Sequence, residues 1–352
     1  MFMLNEIFIL SLTLILILLL RWGFRTLPGE EWQSLCCIPA IKGADGSWNA
    51  VNLTYYGFFN AVAYTLAVAL FFMLTGSLHL PFISTLAVII AVLGVCMPAS
   101  RLLAFAVEGK WHTFTVGGAF FAGLLVAPAA ILLVNITAGE RMGFDIPLLH
   151  TLAAMSVAYA MGEGVGRLAC ISFGCCYGKP LSACHPLVGK IFARWHFVFS
   201  GEMKKIAYAH QLDGQKVVPI QGLTAALYCA SGLLGCYLFL KGFASYALIE
   251  TLVITQGWRI LSEFFRADYR GTGRITAYQI MAVLSVAYAF FLFFMLPTSG
   301  GAPPDLMAGL QSLWDPGMML CLGALWLYSF LYTGRSRVIG ATVRFYVVKE
   351  NI

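Results

Sequence analysis

Charge is what this sequence has least of. Asp, Glu, Lys and Arg together make up 11% of its 352 residues, against about 25% in an ordinary soluble domain. So few charges cannot cover a surface in contact with water, which excludes a soluble globular enzyme. Polar stretches are also too short to build a second folded unit between the apolar runs. The first run, Phe2–Leu20, has neither a basic start nor a small-residue cleavage site after it, and reads as a retained anchor helix rather than a signal peptide. No internal repeat is evident. The paired C-x-x-C spacing of zinc sites is absent, so no metal or other cofactor is expected, and no nucleic-acid partner either.

What is present is apolar: hydrophobic residues make up 60% of the chain. Crossing a bilayer takes about 20 such residues in a helix. Runs near that length are Phe2–Leu20, Tyr56–Leu74, Pro81–Ala104, Val116–Val134, Ile146–Ile171, Gln221–Leu240, Ala244–Phe265, Ile275–Leu296 and Met318–Tyr332. The expected fold is therefore all-α, a polytopic transmembrane helical bundle of about nine spans. It divides into an anchor helix at 1–21, a polar interfacial segment at 22–54, a membrane core at 55–296, and a further helix with a basic tail at 297–352. Within the core, 175–219 forms an arm. Its aromatic residues Phe192, Trp195, Phe197 and Phe199 and its Lys204-Lys205 pair suit the membrane interface, although a plain surface loop fits too.

Nine crossings put 20 of the 22 Lys and Arg residues on the face that bears the 22–54 segment and the tail, leaving Arg141 and Lys241 opposite. The positive-inside rule then makes that face cytoplasmic.

Polar groups concentrate in Gly162–Gly178, GEGVGRLACISFGCCYG, which closes the Ile146 run. An arginine at that depth, Arg167, needs an anionic partner or hydration. On another run, WRILSEFFR places Arg259, Glu263 and Arg266 at helical spacing on one face. Guanidinium forks suit phosphate oxygens. Two arginines with one carboxylate leave positive charge over for a phosphate; the alternative is an ion pair that only holds the helix end.

Cys96, Cys229, Cys236 and Cys321 lie in apolar runs as small core residues. The others sit in or beside polar segments and admit several readings. Cys175, Cys176 and the Cys184-His185 pair could ligate zinc, without the usual spacing. Cys36-Cys37 and Cys175-Cys176-Cys184 could form disulfides on an oxidising face, or all could be packed thiols on a reducing one. Next to an arginine, Cys170 or Cys175 would have a lowered pKa and act as a nucleophile, with Cys176 a third thiol for redox chemistry.

The stretch Gly166–Gly178 resembles the signature of bacterial prolipoprotein diacylglyceryl transferases, inner-membrane enzymes, with Arg167, Gly174 and Gly178 in register. Further landmarks fall in the family's order. Tyr56-Gly57 is similar to its Tyr-Gly, Val116–Gly123 to its Gly-Gly segment, Pro219-Ile220-Gln221 to its Pro-Ser-Gln, Arg259 with Glu263–Arg266 to its Arg-x-x-x-Glu-Phe-Phe-Arg, and Gln279 to a glutamine opening its last helix. The resemblance covers about Tyr55–Leu296 and implies a seven-helix core with an extra helix at each end. It also implies a cavity open sideways to lipid, with the reactive face outside the cytoplasm, against the charge count. The family moves the diacylglyceryl group of phosphatidylglycerol to a lipoprotein cysteine and releases glycerol phosphate. By resemblance, Arg167 and Arg259 clamp the phosphate, Glu263 and Arg266 orient them, and Tyr56 and Gln221 bond ester or glycerol oxygens, while Gly178 and Gln279 complete the lipid site.

Three departures stand out. The family's histidine is Ala122, its asparagine Cys170 and its glutamate Cys175. Head-group residues persist where acceptor residues have changed. That implies a transferase using a glycerophospholipid donor and an unknown acceptor (a lipoprotein, a lipid or a glycan), with a base drawn from His112, His185, His196 or His210. The rival readings are a membrane thiol-disulfide oxidoreductase and a non-catalytic lipid-binding or transport protein.

Overall fold

A computed structural model describes residues 2–109, 115–268, 275–296, 303–336 and 338–352. His112, Lys110, Arg270, Arg274 and Arg337 fall outside these residues. Among the described residues 71% are helical, as the apolar runs require. Long helices are α1 (Phe2–Thr26), α2 (Tyr55–Gly76), α3 (Phe82–Glu108), α4 (Val116–Val134), α5 (Leu148–Phe173), α6 (Ile220–Leu240), α7 (Ala244–Ser262), α8 (Ala277–Met295) and α9 (Pro316–Gly334). Among the described residues, seven of these are long and apolar enough to cross a membrane. The two that fall short, α5 and α7, carry Arg167 and Arg259, each with a glutamate on the same helix, Glu163 and Glu250. They stay in the bundle because neighbouring helices cover them: α5 packs on α2, α6 and α7 and is buried along most of its length.

Specific ties fix the bundle. At one end, Asn5 donates to the Leu240 carbonyl at 3.2 Å, and Lys241 pairs with Glu6 at 2.5 Å. At the other end, Gln279 caps α8 through a capping box with Thr276 and also donates to the Ile260 carbonyl at 3.1 Å. The close approach of α9 to α2 depends on Gly57, where a Cβ would run into the backbone of Gly334. Gly57→Ala should therefore push α9 away and lower stability by about 1–3 kcal/mol, the usual cost of overpacking, read as a drop in detergent-stable melting temperature.

The polar segments differ from expectation. Helix α1 runs past Leu20 to Thr26, and the rest of the interfacial segment is a hairpin of β1 (Ser34–Lys42) and β2 (Trp48–Thr54). The turn between them carries Asp45, whose carboxylate takes bonds from the Ser47 amide and hydroxyl. Strand β5 (Ala341–Val343), from the tail, pairs antiparallel with β2 to make a three-stranded sheet. The arm has its own two-stranded ribbon, β3 (Phe197–Val198) with β4 (Lys216–Val217), and two short helices, Pro186–Ile191 and Lys205–His210.

Lys204 anchors the arm. Its side chain is fully buried and donates to the carbonyls of Leu27 at 3.1 Å and Ser172 at 2.7 Å, satisfying acceptors near the ends of α1 and α5. Burial pushes its pKa down from 10.5 to about 8. Between those two values the folded chain holds a neutral amine and the unfolded chain an ammonium, so unfolding takes up a proton and stability rises with pH. The shift corresponds to about 3 kcal/mol in full. Melting temperature should therefore climb between about pH 8 and about pH 10 by an increment that Lys204→Met lacks; equal pH profiles for the two proteins would contradict this.

Candidate functional site

Helices α5, α6 and α7 meet around a narrow crevice with room for little more than a water molecule, about 10 Å³. Arg167 enters from α5, Thr224 and Tyr228 from α6, and Trp258 and Arg259 from α7, with Glu263 and Arg266 just beyond its end. Two bonds lock the walls together: Trp258 Nε1 donates to Thr224 Oγ1 at 2.8 Å, and Tyr228 Oη donates to the Thr255 carbonyl at 2.7 Å.

Each guanidinium has its own support. Arg167 pairs with Glu163 one turn earlier on α5, both side chains being nearly buried at 12% and 10% exposure. Its Nη1 reaches Cys170 Sγ at 3.9 Å, and its Nε is buried without a hydrogen-bond partner. Arg259 donates to Tyr159 Oη at 3.4 Å, with Glu263 nearby. Gly117 leaves room for this guanidinium, since a Cβ there would stand 2.9 Å from Arg259 Nη2. Arg266 binds Asp268 through two bonds, at 2.9 and 2.8 Å.

No protein-family model, curated protein or solved structure matches this chain. The site is therefore understood from its own geometry.

That geometry corrects two expectations. Arg266 does not continue the face of Arg259 and Glu263, because α7 ends at Ser262, a single 3₁₀ turn follows, and Arg266 is extended. It still lines the crevice, because a short ladder carries it there. The Lys179 amide donates to the Phe265 carbonyl at 2.8 Å, and the Ala267 amide to the Tyr177 carbonyl at 3.1 Å. Gly178, bridged to Arg266, lies against Val218, whose carbonyl a Cβ at Gly178 would strike. The surplus positive charge is also reduced. Glu163 and Asp268 join Glu263, so three arginines face three carboxylates and the formal sum is zero. Glu163 lies four residues before Arg167 and could have been found from that spacing. Asp268, Tyr159 and Tyr228 carried no comparable signal.

Other predicted residues lie elsewhere. Tyr56 packs against Phe173 at 5.4 Å, beside Cys170 and Cys175. Gln221 donates to the Cys175 carbonyl at 2.9 Å, and so holds the cysteine loop rather than the crevice. Gln279 is engaged in its cap. Among the described residues no cysteine is in a disulfide, so the disulfide between the hairpin pair and the arm is not formed. Cys37 instead donates to Asn52 Oδ1 at 2.7 Å. Of the histidines, His185 caps a short helix, His196 bonds the Phe192 carbonyl, and His210 hydrogen-bonds the Tyr177 hydroxyl. None of these three lines the crevice. Burial, with Asp268 and Cys175 nearby, pushes the Tyr177 phenol up to about 12, so it stays protonated.

The cysteines do converge. Helix α5 stops at Gly174, which takes the left-handed conformation at φ +69°, and the Cys175 amide folds back onto the Cys170 carbonyl at 3.0 Å. Cys176 is left-handed too, at φ +56°. The three sulfurs end within 4.8 Å of one another. A thiol beside arginine was expected to be acidified. Cys175 goes the other way, well above the ordinary value, because its hydrogen bonds with Cys170 and Cys176 and its burial all favour the neutral thiol.

Proposed function

We propose that this chain is a membrane lipid-modifying transferase whose arginine crevice holds the phosphate of a glycerophospholipid, phosphatidylglycerol-like in form. One observation carries the reading: Arg167 from α5, Arg259 near the end of α7 and Arg266 in the stretch just beyond it reach one crevice. Neutralised arginines still recognise phosphate, because their N–H groups remain directed donors, and the buried Nε of Arg167 lacks an acceptor. The landmarks that resemble the diacylglyceryl transferases support the same reading, since Gly117, Gly178, Arg259 and Arg266 are linked in space as well as in order. In the proposed reaction the bond between the diacylglyceryl carbon and the phosphate oxygen breaks. The phosphate leaves with the electron pair, and the acceptor's nucleophile forms the new bond after losing its proton. Preorganised cations favour that step by meeting charge as it gathers on the leaving group. Ala122, Cys170 and Cys175 replace the family's acceptor-side groups, which favours an acceptor other than a prolipoprotein.

The test is mass spectrometry of lipids and envelope components from cells with and without the protein. A new diacylglyceryl adduct and released glycerol phosphate are expected. Copurified phospholipid with no product in any fraction would favour a binding protein instead.

A further inference from the structure

We propose that Cys170, Cys175 and Cys176 form a binding site for a single thiophilic d¹⁰ metal ion, Zn(II) or Cu(I). This goes beyond the lipid reading and does not depend on it. A metal–thiolate bond of about 2.3 Å places the sulfurs around one ion a little under 4 Å apart, and these three lie within 4.8 Å of one another. Among the described residues they are the one such group of potential ligands. Soft thiolate donors select ions of this class. The other deeply buried cysteines, Cys96, Cys229 and Cys236, sit singly in apolar helices.

The surroundings fit a charged cluster. Loading releases three protons and leaves a net charge of minus one with Zn(II) or minus two with Cu(I). Arg167 Nη1 lies 3.9 Å from Cys170 Sγ, and the Arg266 guanidinium lies near Cys176. These cations offset the anionic cluster as outer-shell groups do at metal sites. Gln221 fixes the loop through the Cys175 carbonyl at 2.9 Å. Three ligands suffice for trigonal Cu(I); with Zn(II) they leave one position for water or a ligand oxygen.

The full chain, purified in detergent under reducing conditions, is stripped of metal, equilibrated with Zn(II) or Cu(I) separately, and assayed by elemental mass spectrometry. One ion per chain is expected. Each of Cys170→Ser, Cys175→Ser and Cys176→Ser should weaken binding by more than about tenfold, the loss caused even by changing an outer-shell partner, while Cys229→Ser should not. Competition against a chelator of known affinity tells which ion is held more tightly. In wild-type protein, needing no variant, the bound ion should also protect these three thiols from alkylation, counted by peptide mass. Substoichiometric binding, or binding unchanged by all three serine variants, overturns the proposal. So does native protein that carries no metal and whose mass shows a disulfide within the triad.

Discussion

Arg259→Ala is expected to lower lipid turnover by at least about a hundredfold, the scale set by deleting one preorganised charge-stabilising donor. Arg259 is held between Tyr159 and the gap left by Gly117, with Glu263 one turn along. A side chain placed so closely can meet developing charge without first rearranging. Arg259→Lys should recover only part of the loss, since an ammonium provides charge but not the planar fork. Turnover is measured on protein in phosphatidylglycerol-containing vesicles, with fold checked by gel filtration. Full activity in Arg259→Ala would remove Arg259 from the phosphate site and with it most of the support for the proposed function.

Glu163→Ala should be the most destabilising single change at the site. It leaves Arg167 charged and nearly buried with no carboxylate, and breaking a buried pair from one side costs about 3–5 kcal/mol. The combined change Glu163→Leu with Arg167→Met should recover most of that loss, because apolar replacement of a buried pair removes both desolvation penalties. Chemical denaturation in detergent compares the three proteins. If the single variant proves no less stable than the double one, Arg167 is hydrated in the folded protein and its pairing with Glu163 matters little. The double variant should still be inactive, which separates holding the fold from holding phosphate.

Much of the bundle was legible because helices of this kind are written in local composition, and among the described residues each of the nine apolar runs is a long helix, seven of them apolar enough to cross a membrane. The hairpin was less so. Val51 and Leu53 alternate with polar neighbours and Asp45-Gly46 is a turn dipeptide, yet β2 gains its third strand from the tail, a pairing no local pattern contains. At the site, Arg167 and Arg259 stood out as charges in apolar surroundings. Arg266 misled because helical periodicity was extended beyond Ser262, where the ladder with Gly178 takes the chain out of the helix. The thiol triad depends on two consecutive reversals at Gly174 and Cys176, so its one-dimensional spacing of C-x₄-C-C gave no metal signature.

The tail strand also sets an order of events during synthesis. Asn52 donates to the Ile339 carbonyl, 287 residues further along the chain. At ordinary elongation rates the tail follows on the order of tens of seconds after the hairpin. Throughout that interval β2 has an open edge at residues 48–50, ready to pair with any extended peptide nearby. A chaperone or insertase that shields nascent strands would find its substrate there, and stalled ribosomes would leave it exposed.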